Sequence, residues 1–352
     1  MAHELTLAAK VAFLRDPASY ADGTTSVESI ETHFAWLFLT ETHVYKLKKP
    51  VRHERMDYRT LAAREWGCRE ELRLNRRLAP SVYEGVLALS ERNGRLVIGE
   101  GDRVQDWLVK MKRLPLSRML DNALRLGKVK EEDLEPVAAT MARFFARAEP
   151  VPVDDARYLE KLKMQVQDDE QALLSYGTRL PMDLATEVAT MQRRLITDAS
   201  VMLGERGAHV VEGHGDLRAE HVCLGPPVAV IDCLEFDREL RLLDPAEEMA
   251  LLALEMEQLG YPGLAESLLT RFCALSAHSA APCVLDFYVS RRAAARAKLA
   301  AWHLDDPQFS DPRPWIGRVE SLLTAAASHA QRALRALPST ASELQTSGGG
   351  QR

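Results

Sequence analysis

The chain has 352 residues, 46% hydrophobic and 27% charged, with a net charge of −6 at pH 7. This length supports two modest cores or one two-lobed unit, and the charge gives no global pull toward nucleic acid. No apolar run approaches the roughly 18 residues of a membrane span, and the opening MAHELTLAAKVAFLRDP lacks the order of a secretory signal, so a cytoplasmic protein without membrane contact is expected.

From about residue 26 to 113 the pattern is strand-like. HFAWLFL and HVYKLKK flank the short polar turn TET, and RLVIG and DWLVKMKRL follow. One helix is predicted within this region, over about residues 61–78, with Thr60 as its N-cap and the pair AP closing it. Beyond about 115, helical patterns dominate: EDLEPVAATMARFFARA, ARYLEKLKMQVQDDEQALLSYG, MDLATEVATMQRRLITDASVML, PAEEMALLALEMEQLG and two more near the C-terminus. Only HVVEGHGD and PVAVIDCLEF look extended there. The expected class is α+β: a sheet-rich half with one helix (1–114), a larger helical half carrying a strand-loop-strand insert (115–336), and a disordered tail (337–352) with no apolar face. The cysteines Cys68, Cys223, Cys233, Cys273 and Cys283 are scattered and never spaced C-x-x-C, so they are expected to be reduced packing residues.

Chemistry concentrates in HGDLRAEHV, residues 214–222. A loop between short buried strands holds polar side chains rigidly with their tips free. Asp216 could accept a proton from a hydroxyl, and Asp232, at the end of an apolar strand, could hold a divalent cation. Phosphoryl transfer needs that division of labour, together with a lysine that steadies the phosphates. His214, Asp216, His221 and Asp232 could instead form the metal site of a hydrolase, although H-x-D-x4-H is not a common helical ligand spacing.

These residues resemble the aminoglycoside phosphotransferase family of the protein-kinase-like superfamily. His214, Gly215 and Asp216 match its H-G-D, Asp232 matches its metal-binding aspartate, and LDPAEEMA is similar to its G-D-P-x-x-D-L-A, with Glu248 at the last aspartate. The resemblance covers roughly residues 26–300 and is strongest over 211–260. It implies a two-lobed fold with a small antiparallel-sheet lobe, and ATP-dependent transfer of the γ-phosphoryl group to a hydroxyl of a small molecule. Three features depart from the family pattern. His221 stands where the second metal-binding asparagine is expected, the strand-end triplet is DCL without glycine, and no G-x-G-x-x-G or P-loop occurs. Imidazole is a poorer partner for Mg²⁺ than an amide oxygen, so Asp232 with waters, help from Glu220, or a softer ion such as Mn²⁺ is expected. A catalytically silent nucleotide-binding relative is the alternative.

The resemblance also asks for a lysine and a helix glutamate. Lys46 and Lys48 share one face of a strand; Lys46 is preferred because Val44, two earlier, could pack on an adenine ring. Glu71 lies on a helix stripe with Gly67, Leu74 and Leu78, whereas Glu70 lies with Trp66, Arg73 and Arg77; a glutamate on the apolar stripe needs a cationic partner, and Lys46 would be one. Adenine is expected beside Met111 to Leu114, paired by backbone groups. His214 could simply fix the loop backbone. Arg218 could reach a phosphate or pair with Glu220, and His221 could be a ligand or a packing residue. Asp244 as N-cap, Pro245 at N1 and Glu247 at N3 read as a capping box, with Glu248 a brace under the catalytic loop.

Tyr288, Arg292 and Arg296 recur every four residues. They form either a solvated face or a lining for an anionic or phosphorylated acceptor. The basic stretch KLKKPVRHER is broken by acidic neighbours and lacks interleaved aromatics, so no nucleic-acid partner is expected. The acceptor's identity and the oligomeric state are not written in the sequence.

Overall fold

The computed structural model of the chain describes residues 5–53, 55–306 and 311–338; the expected disordered tail, from 339 on, lies outside the described residues. The fold is α+β, and the chain divides into two compact units. The first takes residues up to 148 together with 212–243; the second takes 149–211 and everything from 244. These units do not part at residue 114. The segment carrying the H-G-D loop belongs to the first unit, where backbone bonds tie it to the stretch that follows the sheet: the Leu224 amide donates to the Arg118 carbonyl at 2.7 Å, and Met119 bridges Cys223.

The first unit is built on a six-stranded antiparallel sheet of order β1-β2-β3-β8-β6-β7. Its strands are β1 (Glu28–Glu31), β2 (Ala35–Leu39), β3 (His43–Lys48), β6 (Tyr83–Arg92), β7 (Arg95–Ile98) and β8 (Arg103–Lys112), with the small hairpin β4 (Arg52–His53) and β5 (Met56–Asp57) after β3. Successive side chains of a strand point to opposite faces, and two apolar clusters follow from that rule. Phe38, Tyr45, Leu47 and Leu108 pack with Val11 and Leu14 of helix α1 (Leu7–Arg15). Val44, Val109 and Met111 pack with Cys68 and Leu72 of helix α2 (Leu61–Asn75). Thr60 caps α2 by accepting from the Ala63 amide. The helix stops at Asn75, short of the expected 78, where the Asn75 side chain turns back to the Glu71 carbonyl and residues 76–78 form a turn.

Helices α3 (Leu120–Arg125) and α4 (Leu134–Ala146) complete this unit's helical part. The extended stretches of the insert shrink to two-residue strands: β9 (Val211–Glu212), β10 (Val222–Cys223), β11 (Ala229–Val230) and β12 (Leu242–Leu243). Strands β10 and β11 pair as a hairpin, Val222 opposite Val230.

The second unit is helical: α5 (Asp155–Leu174), α6 (Met182–Asp198), α7 (Ser200–Gly204), α8 (Pro245–Gln258), α9 (Pro262–Leu275), α10 (Pro282–Trp302) and α11 (Arg313–Arg335). The single helix expected over 182–203 is divided at Ala199, whose ψ of 24° leaves the helical region. Among the described residues three helices, not two, follow α8. Proline opens α8, α9 and α10, where its missing N–H costs nothing. Every residue from Pro245 to Met256 is buried, making α8 the core of its unit. No helix among the described residues is long and apolar enough to cross a membrane.

Candidate active site

The residues expected to act on phosphates meet within the first unit. Lys46, on the α2-facing side of β3, places its Nζ 2.6 Å from Asp232 Oδ1 and 2.9 Å from Glu71 Oε1. Glu71 is fully buried on the core stripe of α2, whereas Glu70 pairs with Arg73; the helix phase thus separates the two glutamates. Lys48, one pleat further along β3, reaches the other Glu71 oxygen at 2.6 Å and Glu235 Oε1 at 2.5 Å. Both lysines therefore hold Glu71, but only Lys46 meets Asp232. Protein around Lys46 disfavours its charge, yet Asp232 and Glu71 outweigh that and raise its pKa well above the lysine norm. Asp232 responds in kind: desolvation alone would raise it, but Lys46 and His221 hold it well below the usual carboxylate range.

Asp232 has a left-handed backbone, φ 63°, which aspartate tolerates better than most residues. Its neighbours over-determine that turn. Its amide donates to the Tyr83 hydroxyl at 3.1 Å, the Cys233 amide to Asn75 Oδ1 at 2.9 Å, and Arg241 to the Leu234 carbonyl at 2.7 Å. Half of the Asp232 side chain nonetheless stays accessible, at 47%.

The H-G-D loop is held as tightly. His214 is fully buried; its Nε2 donates to the Ile231 carbonyl at 2.9 Å and its Nδ1 accepts from the Asp216 amide at 3.3 Å. Burial, with His221 nearby, pushes its pKa down to about 4, so a neutral ring braces the loop. Gly215 has φ 89°, and a Cβ there would sit 3.1 Å from Arg241 Cγ and 3.2 Å from the Leu240 carbonyl. Only glycine combines that conformation with that closeness. From α2's end, Arg77 donates to the Glu212 and Gly213 carbonyls at 2.9 and 2.8 Å.

His221 donates through Nδ1 to the Asp216 carbonyl at 2.8 Å, which turns Nε2 toward Asp232 Oδ2 and Glu220 Oε1, each 3.7 Å away. Its ring sits 3.8 Å from Asp216 Oδ2. Arg218 pairs with Glu220 at 2.5 Å, the second of its two expected roles. Among the described residues, no group of three or more His, Cys, Asp or Glu side chains stands ready to hold a metal ion. His214 brings no free nitrogen to a four-residue hydrolase site, because both of its ring nitrogens are bonded within the loop. Asp232, with an oxygen facing His221 Nε2, instead suits an ion that brings further oxygen ligands with it, as a nucleotide's phosphates would.

The adenine expectation is corrected in part. Met111 is paired in the ladder with Val44 on one side and Tyr83 on the other, and the Lys112 and Arg113 amides already donate to the Val82 and Thr42 carbonyls. What Met111 and Leu114 contribute is apolar surface, in one cluster with Val44 and Ile231.

The acceptor-side face on α10 is also corrected. Tyr288 is fully buried and donates to Asp244 Oδ2 at 2.8 Å. Arg292 lies 3.1 Å from Glu247 and Arg296 3.6 Å from Glu255, so α8 carboxylates meet both cations. Glu247 is thereby drawn away from the capping-box role. Asp244 does cap α8, accepting from the Ala246 amide at 2.9 Å, and Arg206 grips the same carboxylate at 2.6 and 2.8 Å. Glu248 is fully buried in the first turn of α8. Glu235, Tyr58, Tyr83 and Asn75 went unnoticed in the sequence; the only local signal was an acidic residue set among apolar ones in CLEF.

No family model matches the chain. Curated relatives, uncharacterized proteins of Mycobacterium bovis and Mycobacterium tuberculosis, are 31% identical over 275 residues, covering 76% of this chain and 53% of each relative. The chain thus spans about half the length of those relatives. Among solved structures, a choline/ethanolamine kinase family protein from Mesorhizobium loti aligns with a TM-score of 0.55 at 14% identity, over 93% of this chain and 99% of that one. A glucosamine kinase gives 0.52 at 11% identity over 90% and 79%. The choline kinase LicA from Streptococcus pneumoniae gives 0.51 at 14% over 87% and 94%. These neighbours are small-molecule kinases by name, and at such identities the likeness speaks of fold. In fold, the chain is α+β and similar to those kinase structures, with an antiparallel sheet in one unit and helices in the other.

Proposed function

We propose that the chain is an ATP-dependent phosphotransferase that moves the γ-phosphoryl group to a hydroxyl of a small molecule. One observation carries this reading: Lys46 from the sheet joins Glu71 from α2 and Asp232 from the segment behind the H-G-D loop, with Asp232 still half-accessible. In the mechanism, Lys46 turns its ammonium to the nucleotide phosphates while Glu71 keeps it oriented. Asp216 aligns the acceptor hydroxyl and takes its proton on a carboxylate oxygen as the oxygen attacks the γ-phosphorus in line and the bond from that phosphorus to the β,γ-bridging oxygen breaks, releasing ADP. Val44, Met111, Leu114 and Ile231 offer the apolar surface on which an adenine ring would lie. A Mg²⁺ or Mn²⁺ ion held by Asp232, with His221 Nε2 beside it, would neutralise phosphate charge; the imidazole favours Mn²⁺.

The second reading, nucleotide binding without turnover, is favoured by His221 at the position of a metal-binding asparagine. ADP release from ATP, measured over a panel of sugars, amino alcohols and nucleosides, separates the two. Under the proposal one acceptor class stimulates release, and Asp216→Asn lowers it by about 10²–10⁴-fold while ATP binding persists. Equal release from both proteins would remove Asp216 from the chemistry. Binding without acceptor-stimulated release would select the silent reading.

A further inference from the structure

We infer that Lys48 is a positioning residue for nucleotide phosphates: it aims Lys46 by clamping Glu71 and the segment that carries Asp232. This inference rests on the phosphotransferase reading.

The geometry gives the two lysines of β3 different tasks. Lys46 is 14% exposed and faces the half-accessible Asp232. Lys48 is 2% exposed and bridges two carboxylates, Glu71 and Glu235, so a phosphate has no path to it. Glu71 divides its oxygens accordingly, Oε1 to Lys46 and Oε2 to Lys48. A carboxylate fastened by one oxygen can present the other in a single direction. Glu235 is fastened in turn, since the Tyr58 hydroxyl donates to the same oxygen that Lys48 grips, at 2.7 Å, and the Lys48 ammonium lies 5.1 Å from the Tyr58 ring centre. Burial would raise the Glu235 pKa, but Lys48 and Lys46 bring it below its ordinary value, so the clamp stays ionic.

The clamp spans the parts a phosphate grip must hold in register. Lys48 sits two residues from Lys46 on one strand, Glu71 belongs to α2, and Glu235 lies three residues beyond Asp232 in a stretch, DCLE, with no glycine to let it swing. When Lys46 turns toward a phosphate, Lys48 keeps a cation on buried Glu71 and keeps the Asp232 turn against α2. An unpaired buried carboxylate would otherwise recapture Lys46 or lose its charge.

The test compares ATP with adenosine, both titrated into the full chain with Mg²⁺. Adenosine shares the base and sugar but offers Lys46 no phosphate. Lys48→Met should weaken ATP by about tenfold or more, the scale of a lost charge-assisted contact, and leave adenosine within about twofold. Lys48→Arg, which can still bridge two carboxylates, should recover most of the ATP affinity. Equal weakening of both ligands would mean a merely structural lysine, and unchanged ATP affinity would remove its role; either result overturns the inference. If Lys48→Met does not fold, Glu235→Gln replaces it in the same comparison, and each outcome there carries the same meaning. A wild-type chain that binds no ATP would instead bring down the phosphotransferase reading itself, whereas wild-type binding with no ATP-selective loss in the variants brings down only the clamp.

Discussion

Each unit buries a network of opposite charges, and the two networks are built for different ends. In the second unit, Asp244 is fully buried and shared among Arg206, Tyr288 and the α8 backbone; Tyr158 closes the set through the Tyr288 hydroxyl at 2.9 Å. In the first, Lys48, Glu71 and Glu235 are comparably buried, but the network runs out through the partly exposed Lys46 to an Asp232 that remains half-accessible. The ingredients are alike. The difference is an open end: a closed network fixes a helix start, whereas an open one leaves a cation and a carboxylate able to exchange partners with a ligand.

The largest effect on stability should come from breaking the closed network. Arg206→Met strands the buried Asp244 carboxylate, and loss of one partner of a buried pair costs about 3–5 kcal/mol. Denaturant unfolding should register that cost, with the ATP affinity of the folded fraction unchanged. A shift under about 1 kcal/mol, the scale of an exposed pair, would blur the contrast between the networks.

A histidine from each unit sharpens the comparison with opposite signs. His214 has a folded pKa near 4, below its unfolded value near 6.5. Between those values the unfolded chain binds more protons, so this contribution is present above about pH 6.5 and fades as pH falls toward 4, by about 3 kcal/mol in all. His329, held between Asp286 at 2.7 Å and Glu257 at 2.8 Å, has a raised pKa: burial lowers it, but hydrogen bonds to those carboxylates prevail. Its contribution is full below about pH 6.5 and is lost as pH rises through the higher folded value. Stability-versus-pH curves should lose part of the acid slope in His214→Gln and part of the opposite slope in His329→Gln. Parallel curves for both variants would contradict the assignment.

A smaller effect is expected at the turn of the H-G-D loop. Gly215→Ala forces a Cβ into a left-handed residue, at about 1–2 kcal/mol, plus the crowding against Arg241. Thermal unfolding should report that loss, and ADP release should fall further than stability alone requires, because Asp216 is the next residue.

Much of the open network was legible because its parts obey local periodicities. Strand alternation put Lys46 and Lys48 on one face with Val44, and helix phase chose Glu71 over Glu70. The rest depended on non-local register. Glu235 reaches Lys48 only because Asp232 turns left-handed and Tyr83, Asn75 and Arg241 hold that turn, none of which a linear pattern reveals. Strand β6 escaped notice because register shifts at Tyr83/Gly85 and Leu89/Ser90 break its alternation. The α10 stripe of Tyr288, Arg292 and Arg296 misled for the converse reason: its spacing was right, but a facing helix, α8, supplied the carboxylates.

On the proposed reading, Lys46 trades Asp232 for a nucleotide phosphate. Calorimetric titration of ATP with Mg²⁺ into wild type and Lys46→Met tests it most directly. Wild type should bind saturably and one to one, and the variant should lose about tenfold or more in affinity. Equal affinities, or no binding by the wild-type chain, would contradict it.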